Sequence, residues 1–173
     1  VYQGMTIAFD FSVEEVWVPL MAGATLVPGR PGGGLVGEEL ADFLYDQRVT
    51  AMCCCPTLLS TIEKDLPHLR VLLVGGEACP QNLVARWSRP GRTILNTYGP
   101  TEATVTATVT ELVPNKPVTI GTPMPTYAIV ILDPTAERTM PRGELGEIGI
   151  AGIGVAAGYL NRDELTAQKF IPD

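Results

Sequence analysis

Val71-Leu72-Leu73-Val74-Gly75-Gly76-Glu77 is the stretch on which the fold turns. Four apolar residues without polar alternation, halted by two glycines, describe a strand covered on both faces that ends in a turn. Ala51-Met52-Cys53-Cys54-Cys55 has the same texture upstream. Between residues 25 and 98 such runs alternate with segments of helical period, the rhythm of a parallel sheet with helical crossovers. Strands are expected at 25–27, 50–55, 69–74 and 93–97.

Helical punctuation fills the gaps. Ser12 followed by Glu15 fits a capping box, and Val13, Val16, Trp17 and Leu20 then share one face, predicted to point inward, with Pro19 kinking the helix and Gly23 ending it. A second helix is expected over 38–48 with Leu40, Phe43 and Leu44 inward, and a third over 57–66 on Leu58, Leu59 and Ile62. Pro80 suits the first position of a fourth, whose buried stripe is Leu83, Val84 and Trp87.

After Glu102 the pattern changes. Residues 103–110 alternate small apolar side chains with threonine, 127–132 and 147–151 read as strands between Gly and Pro turns, and Asp163 suits the cap of a last helix through Phe170. The expected fold is therefore α/β: a doubly wound, mostly parallel sheet with flanking helices over 1–110, followed over 111–173 by the beginning of an antiparallel, β-barrel-like subdomain.

Composition narrows the function. The 173 residues are 46% hydrophobic and 18% charged, which supplies a core and argues against disorder. With 12 Lys+Arg against 19 Asp+Glu, the net charge of −7 repels phosphate backbones, so nucleic acid is not an expected partner. No apolar run approaches the roughly 18 residues of a membrane span, and the first residues do not show the basic start, apolar run and cleavage site expected of a secretory leader. A cytoplasmic segment is expected. Cys53, Cys54 and Cys55 cannot converge on one metal, because adjacent strand side chains point to opposite faces; with Cys79 they read as small apolar fillers in a reducing compartment. Arg30-Pro31-Gly32-Gly33-Gly34 is expected to be a surface loop, and no Gly-Lys-Ser/Thr follows to make it a phosphate loop.

In an open parallel sheet, ligands bind beyond the carboxyl ends of the strands. Cys55-Pro56-Thr57, Gly75-Gly76-Glu77 and Asn96-Thr97-Tyr98-Gly99-Pro100-Thr101-Glu102 arrive there with the residue types of a nucleotide pocket. Gly75, Gly76 and Gly99 let a flat base approach the backbone, Tyr98 offers a ring, Asn96 an amide for a base edge, and Thr101 a hydroxyl for phosphate. Glu102 could hold Mg²⁺ against phosphate oxygens.

Asn96-Thr97-Tyr98-Gly99-Pro100-Thr101-Glu102 resembles the N-x-Y-G-P-T-E core of adenylate-forming enzymes, specifically the adenylation domains of nonribosomal peptide synthetases. Phe9-Asp10-Phe11-Ser12 is similar to the family's F-D-x-S. Gly143-Glu144-Leu145-Gly146-Glu147-Ile148, with Gly152-Ile153-Gly154-Val155-Ala156-Ala157-Gly158-Tyr159-Leu160, resembles G-E-L-G-E-I…G-x-G-V-A-R-G-Y-L, with Ala157 in place of the usual arginine. Tyr2-Gln3-Gly4-Met5-Thr6-Ile7-Ala8-Phe9-Asp10-Phe11-Ser12 and Gly75-Gly76-Glu77-Ala78-Cys79-Pro80 look like the branch containing ε-poly-L-lysine synthetase, whose members continue into a carrier domain and membrane-spanning segments.

The resemblance implies an enzyme that joins an amino acid carboxylate to the α-phosphate of ATP with Mg²⁺ and passes the acyl group to the phosphopantetheine thiol of a carrier domain. Asp10 would pair with the substrate ammonium. Gly76, Glu77, Asn96 and Tyr98 would line the adenine site, beside Gly75 and Gly99; Thr101 would meet phosphate and Glu102 the metal. Substrate-specificity positions fall on Phe11, Glu14, Cys53, Leu73, Gly75, Thr97, Val105 and Thr106. Glu14 in the pocket would favour a diamino acid such as lysine, ornithine, diaminobutyrate or diaminopropionate, because a buried carboxylate needs a cationic partner. The family's upstream phosphate loop and downstream arginine-aspartate motif, hinge and catalytic lysine have no counterpart here, so no catalytic residue is assigned, Lys169 included. An internal fragment, inactive alone, is expected. An acyl-CoA synthetase-like ligase and a noncatalytic scaffold are the alternatives.

Overall fold

A computed structural model describes residues 1–30, 34–135 and 138–171, so most of the loop expected at 30–34 lies outside the described residues. Its centre is a five-stranded sheet in the order β3-β4-β5-β6-β7, built from Ala51–Cys54, Val71–Val74, Thr93–Tyr98, Thr108–Glu111 and Thr122–Pro123. The first three strands are parallel, with Cys53 opposite Leu73 and Leu73 opposite Leu95; the last two are antiparallel. The α/β class read from the sequence is the observed one.

The apolar runs fold as strands with one face fully covered by helices and the other partly covered, Cys53 being buried there and Leu73 half-buried. Met52, Cys54, Leu72 and Val74 are fully buried, and Leu40 and Leu44 of α2 (Gly37–Asp46) share their cluster with Leu59 of α3 (Pro56–Ser60) and Leu83, Val84 and Trp87 of α4 (Gln81–Trp87). Helix α3 stops at Ser60, earlier than its apolar period suggests, yet Ile62 and Leu66 still reach the core from the chain that follows. Pro80 stands just ahead of α4 in an extended conformation, as its N-cap.

Three expectations need correction. The strand expected at 25–27 is β2 (Val27–Pro28), and it pairs with β1 (Tyr2–Gln3) in a separate two-stranded parallel sheet that lies beside β3. In α1 (Ser12–Met21) no side chain makes the capping box: Ser12 lies inside the helix, and the Glu15 carboxylate accepts the Gly4 and Met5 N–H groups at 3.1 and 2.9 Å. The helix also turns the other way. Ser12, Glu15 and Pro19 are buried, whereas Val13, Trp17 and Leu20 are exposed, because Glu15 must reach the turn at residues 4–5.

The main sheet runs on past residue 110 to Pro123. Then β8 (Tyr127–Leu132) and β9 (Glu147–Gly152) form an antiparallel pair, followed by α5 (Asp163–Lys169). Among the described residues this part is a two-stranded sheet with one added bridge, Leu132 to Thr139, and no closed barrel.

Candidate functional site

A cleft of about 610 Å³ opens at the carboxyl ends of β4 and β5. Phe9, Asp10 and Phe11, which lead into α1, form one wall; Gly75, Gly76 and Glu77 after β4 form another; Asn96, Thr97, Tyr98 and Gly99 form the third, with Val105 and Thr106 closing it. Asp10 and the tyrosine-bearing turn therefore share one hollow. Ala78, Cys79, Pro100, Val118, Thr119 and Ile120 also line it. Sequence reasoning passed over 118–120, since that connection matches no motif and its single hydroxyl, on Thr119, does not stand out along the chain.

Close packing makes the cleft. A Cβ on Gly75 would stand 2.8 Å from Thr97 Oγ1 and 3.4 Å from the Phe11 ring, and Gly76 has a left-handed φ of 78° beneath the Phe9 ring. Val105 is a β-branched residue at φ 72°, at the centre of a turn closed by the Thr106 N–H donating to Thr104 O at 2.9 Å. That conformation is strained and needs its surroundings to hold it. It presents Thr106 to the cleft.

The polar groups are individually placed. The Asn96 Nδ2 donates to Thr119 O at 2.8 Å, which leaves the amide's Oδ1 as the group available to accept from a ligand. Thr97 is buried, its hydroxyl 3.4 Å from Val74 O. Glu77 accepts from the Thr57 N–H at 3.0 Å and hydroxyl at 2.5 Å, so its carboxylate caps the first turn of α3 while lining the cleft.

Five expected site residues stand off the cleft surface. Glu14 lies one helical turn after Asp10, half-buried, and its Oε1 accepts the Thr106 hydroxyl at 2.5 Å. Burial raises its pKa; the Thr106 hydrogen bond opposes this and the charge of Asp10 adds to it. Cys53 is buried on β3, its thiol held neutral by burial and by the Glu15 and Glu14 carboxylates, and Leu73 is half-buried on β4. Thr101 and Glu102 belong to the 3-10 turn Thr101–Ala103 beyond the rim, where Thr101 is exposed.

That turn is tied to the β8-β9 side. Ala156 N–H donates to Glu102 O at 2.8 Å, the Tyr127 hydroxyl to Ala103 O at 2.7 Å, and the Thr104 hydroxyl to Gly154 O at 2.6 Å. The Tyr159 hydroxyl donates to Glu102 Oε1. This bond, then the residue's own backbone N–H, holds the Glu102 pKa below the usual carboxylate range, and the Lys169 charge helps. Among the described residues no cluster of three or more His, Cys, Asp or Glu could hold a metal alone. One ionised carboxylate still fits Mg²⁺, which uses one or two protein oxygens and completes its shell with phosphate and water.

The chain belongs to the AMP-binding enzyme family, which it matches over residues 1–160, and an open sheet with a crevice at its strand ends, an acidic residue on one wall and a tyrosine-glycine-proline turn on another is the form that class takes here. Within that class it is similar to proteins of nonribosomal peptide synthesis and to related synthetases. It is 44% identical to the delta-poly-L-ornithine synthetase of Acinetobacter baumannii over 99% of this chain and 13% of that protein. It is 47% identical to novobiocin biosynthesis protein H of Streptomyces niveus over 95% of this chain and 27% of that one. Among solved structures, the nonribosomal peptide synthetase FmoA3 bound to α-methyl-L-serine-AMP superimposes with a TM-score of 0.89 at 30% identity, over 98% of this chain and 21% of that one. The chain thus spans well under two thirds of these relatives' length.

Proposed function

We propose that the chain is part of an adenylation domain that makes aminoacyl-AMP from ATP and an amino acid and loads a phosphopantetheine thiol on a carrier domain of the same synthetase. The observation that carries this reading is the opening of Asp10 and the Tyr98 turn onto one cleft. Asp10 takes the substrate ammonium in a charge-assisted pair. Tyr98, Gly76 and Gly99 accept the adenine face, Asn96 Oδ1 its exocyclic amine, and Thr101 a phosphate oxygen. Magnesium, when bound at Glu102, neutralises charge developing on the phosphates. These groups position the two reactants. The division at residue 110, with most of the walls in the first part and Val118, Thr119 and Ile120 lining the cleft from the second, and a cytoplasmic setting belong to the same proposal.

The substrate proposed is a diamino acid: lysine, ornithine, diaminobutyrate or diaminopropionate. Its support is Glu14, a half-buried carboxylate one helical turn from Asp10, behind the cleft wall and joined to it by the hydroxyl of Thr106, which a second ammonium group could reach in its place. The similarity to a poly-ornithine synthetase is compatible with it. Amino-acid-dependent ATP–pyrophosphate exchange by the whole polypeptide tests this. Diamino acids should drive exchange, neutral amino acids of similar length should not, and Glu14→Gln should narrow the difference. Exchange with neutral amino acids alone sinks the substrate reading. Asp10→Ala should cost amino acids much more than des-amino analogues; equal loss would favour an acyl-CoA synthetase-like ligase.

The pH dependence has a definite sign. The free site holds its Glu14 proton more tightly than an ordinary carboxyl, and a cationic side chain binds the ionised form, so binding expels the proton. Affinity for the diamino acid should rise as pH climbs from about 4.5 through the raised pKa and then level off.

A further inference from the structure

We propose that Tyr159 is a positioning residue for Glu102, and that α5 sets Tyr159 in place. The proposal rests on the reading of Glu102 as the carboxylate that meets magnesium. A glutamate at the surface samples several rotamers, and a ligand oxygen is useful only if it points at the ion before the ion arrives. Tyr159 supplies the constraint: its hydroxyl donates to Glu102 Oε1 and so fixes the direction in which the carboxylate points.

Tyr159 is itself held from α5. Its N–H donates to Thr166 Oγ1 at 2.9 Å, and its ring meets Phe170 edge-on with centroids 5.4 Å apart and planes at 77°. The preceding Gly158, at φ 135°, lies so close to Thr166 that a Cβ there would meet its side chain. The Glu102 main chain is fixed separately by the Ala156 N–H. Backbone and carboxylate of Glu102 are thus both set by the segment after β9, while Ala157 between the two contacts is exposed. The brace links a helix in the least buried part of the molecule to the one acidic side chain beside the cleft's 3-10 turn.

The test is Tyr159→Phe in the whole polypeptide, which keeps the ring on Phe170 and removes only the hydroxyl. Mn²⁺ binding, read by electron paramagnetic resonance with a non-hydrolysable ATP analogue present, should weaken by roughly tenfold or more, the usual effect of losing a partner that orients a metal ligand. Exchange should need more Mg²⁺ for half-saturation, recover its rate at saturating Mg²⁺, and keep its KM for the amino acid. Thr166→Val, which frees the Tyr159 N–H, should shift the metal dependence less and in the same direction. Unchanged Mn²⁺ affinity in Tyr159→Phe, where Glu102→Gln weakens it, overturns the proposal and leaves the metal reading standing. If Glu102→Gln leaves Mn²⁺ affinity unchanged, the metal reading fails and the proposal with it. Should Tyr159→Phe not fold, Thr166→Val decides, and an unaltered metal dependence there also overturns the brace.

Discussion

Val71-Leu72-Leu73-Val74 of β4 and Tyr127-Ala128-Ile129-Val130-Ile131-Leu132 of β8 are both apolar strands, and they end in opposite surroundings. Leu72 and Val74 are 0% exposed between helices, whereas Val130 is 40% exposed and no residue of β8, β9 or α5 is buried among those described. An apolar run makes a strand in either place, but only a face covered by helices becomes core. A two-stranded sheet is marginal by itself. The second region is instead fastened to the cleft by hydrogen bonds from Tyr127, Thr104, Ala156 and Tyr159. One region is held by burial and the other by polar ties.

The largest effect should come from the first. Leu72→Ala opens a cavity between β4 and the helices and should cost ~2–5 kcal/mol of unfolding free energy in a denaturant titration. A cost below 1 kcal/mol would mean that β4 is not the centre of the core, and the contrast would collapse.

Glu15 is the exception that sharpens the comparison, a carboxylate 0% exposed in the burial-held region. Glu15→Ala leaves the Gly4 and Met5 N–H groups without their acceptor, at a cost of ~1–3 kcal/mol. Burial raises the Glu15 pKa, with the hydrogen bonds from Met5, Gly4 and Gln3 opposing. The folded state therefore binds this proton more tightly than the unfolded chain does, and stability falls as pH rises from about 4.5 through the raised pKa, then stays level. Glu15→Gln, which removes the charge and keeps an acceptor oxygen, should flatten that segment of the pH–stability curve. An unchanged slope would place the titration elsewhere.

These two positions also show what the sequence discloses and what it hides. Leu72 is legible because an apolar run without polar alternation puts an apolar side chain on whichever face the helices cover. Glu15 was misread because capping-box spacing and a buried brace to residues 4–5 look alike along the chain; only the fold decides whether a side chain reaches its own helix end or another turn. The face of α1 was misassigned for a related reason: Val13, Trp17 and Leu20 do form an apolar stripe, but hydrophobicity names a face without saying what it meets. At the site, Gly76, Asn96 and Tyr98, which line the cleft, were legible as residue types that a nucleotide pocket uses, and Asp10 through the F-D-x-S resemblance. The left-handed Val105 and the lining at 118–120 were not, since valine signals no such turn and the second segment contributes mostly backbone and shape.

In the polar-tied region Tyr127→Phe removes the hydroxyl that bonds Ala103 O and keeps the ring. A loss of ~0.5–1.5 kcal/mol is expected, the net worth of one ordinary hydrogen bond. Hydrogen exchange should localise it: amides of β8, β9 and the 101–104 turn should lose protection together, while those of β3 and β4 keep theirs. Equal loss throughout would mean that the regions unfold as one unit and that the contrast is only one of exposure.

The smallest effect should be that of Val130→Ala. Val130 lies on β8 opposite Gly149, 40% exposed, so truncation removes methyl groups that already face solvent and opens no enclosed cavity. Its strand pairing uses backbone groups that alanine retains, and the lower strand propensity of alanine is a fraction of a kcal/mol. The unfolding free energy should change by no more than about 0.5 kcal/mol, as for a surface substitution away from caps and networks. The comparison with Leu72→Ala is informative because both truncate an aliphatic residue in the middle of a strand, and the difference is whether helices cover it. If Val130→Ala costs 2 kcal/mol or more, its side chain is covered in the protein as it exists in solution, and the β8-β9 sheet has a packing partner that converts it from a polar-tied appendage into core.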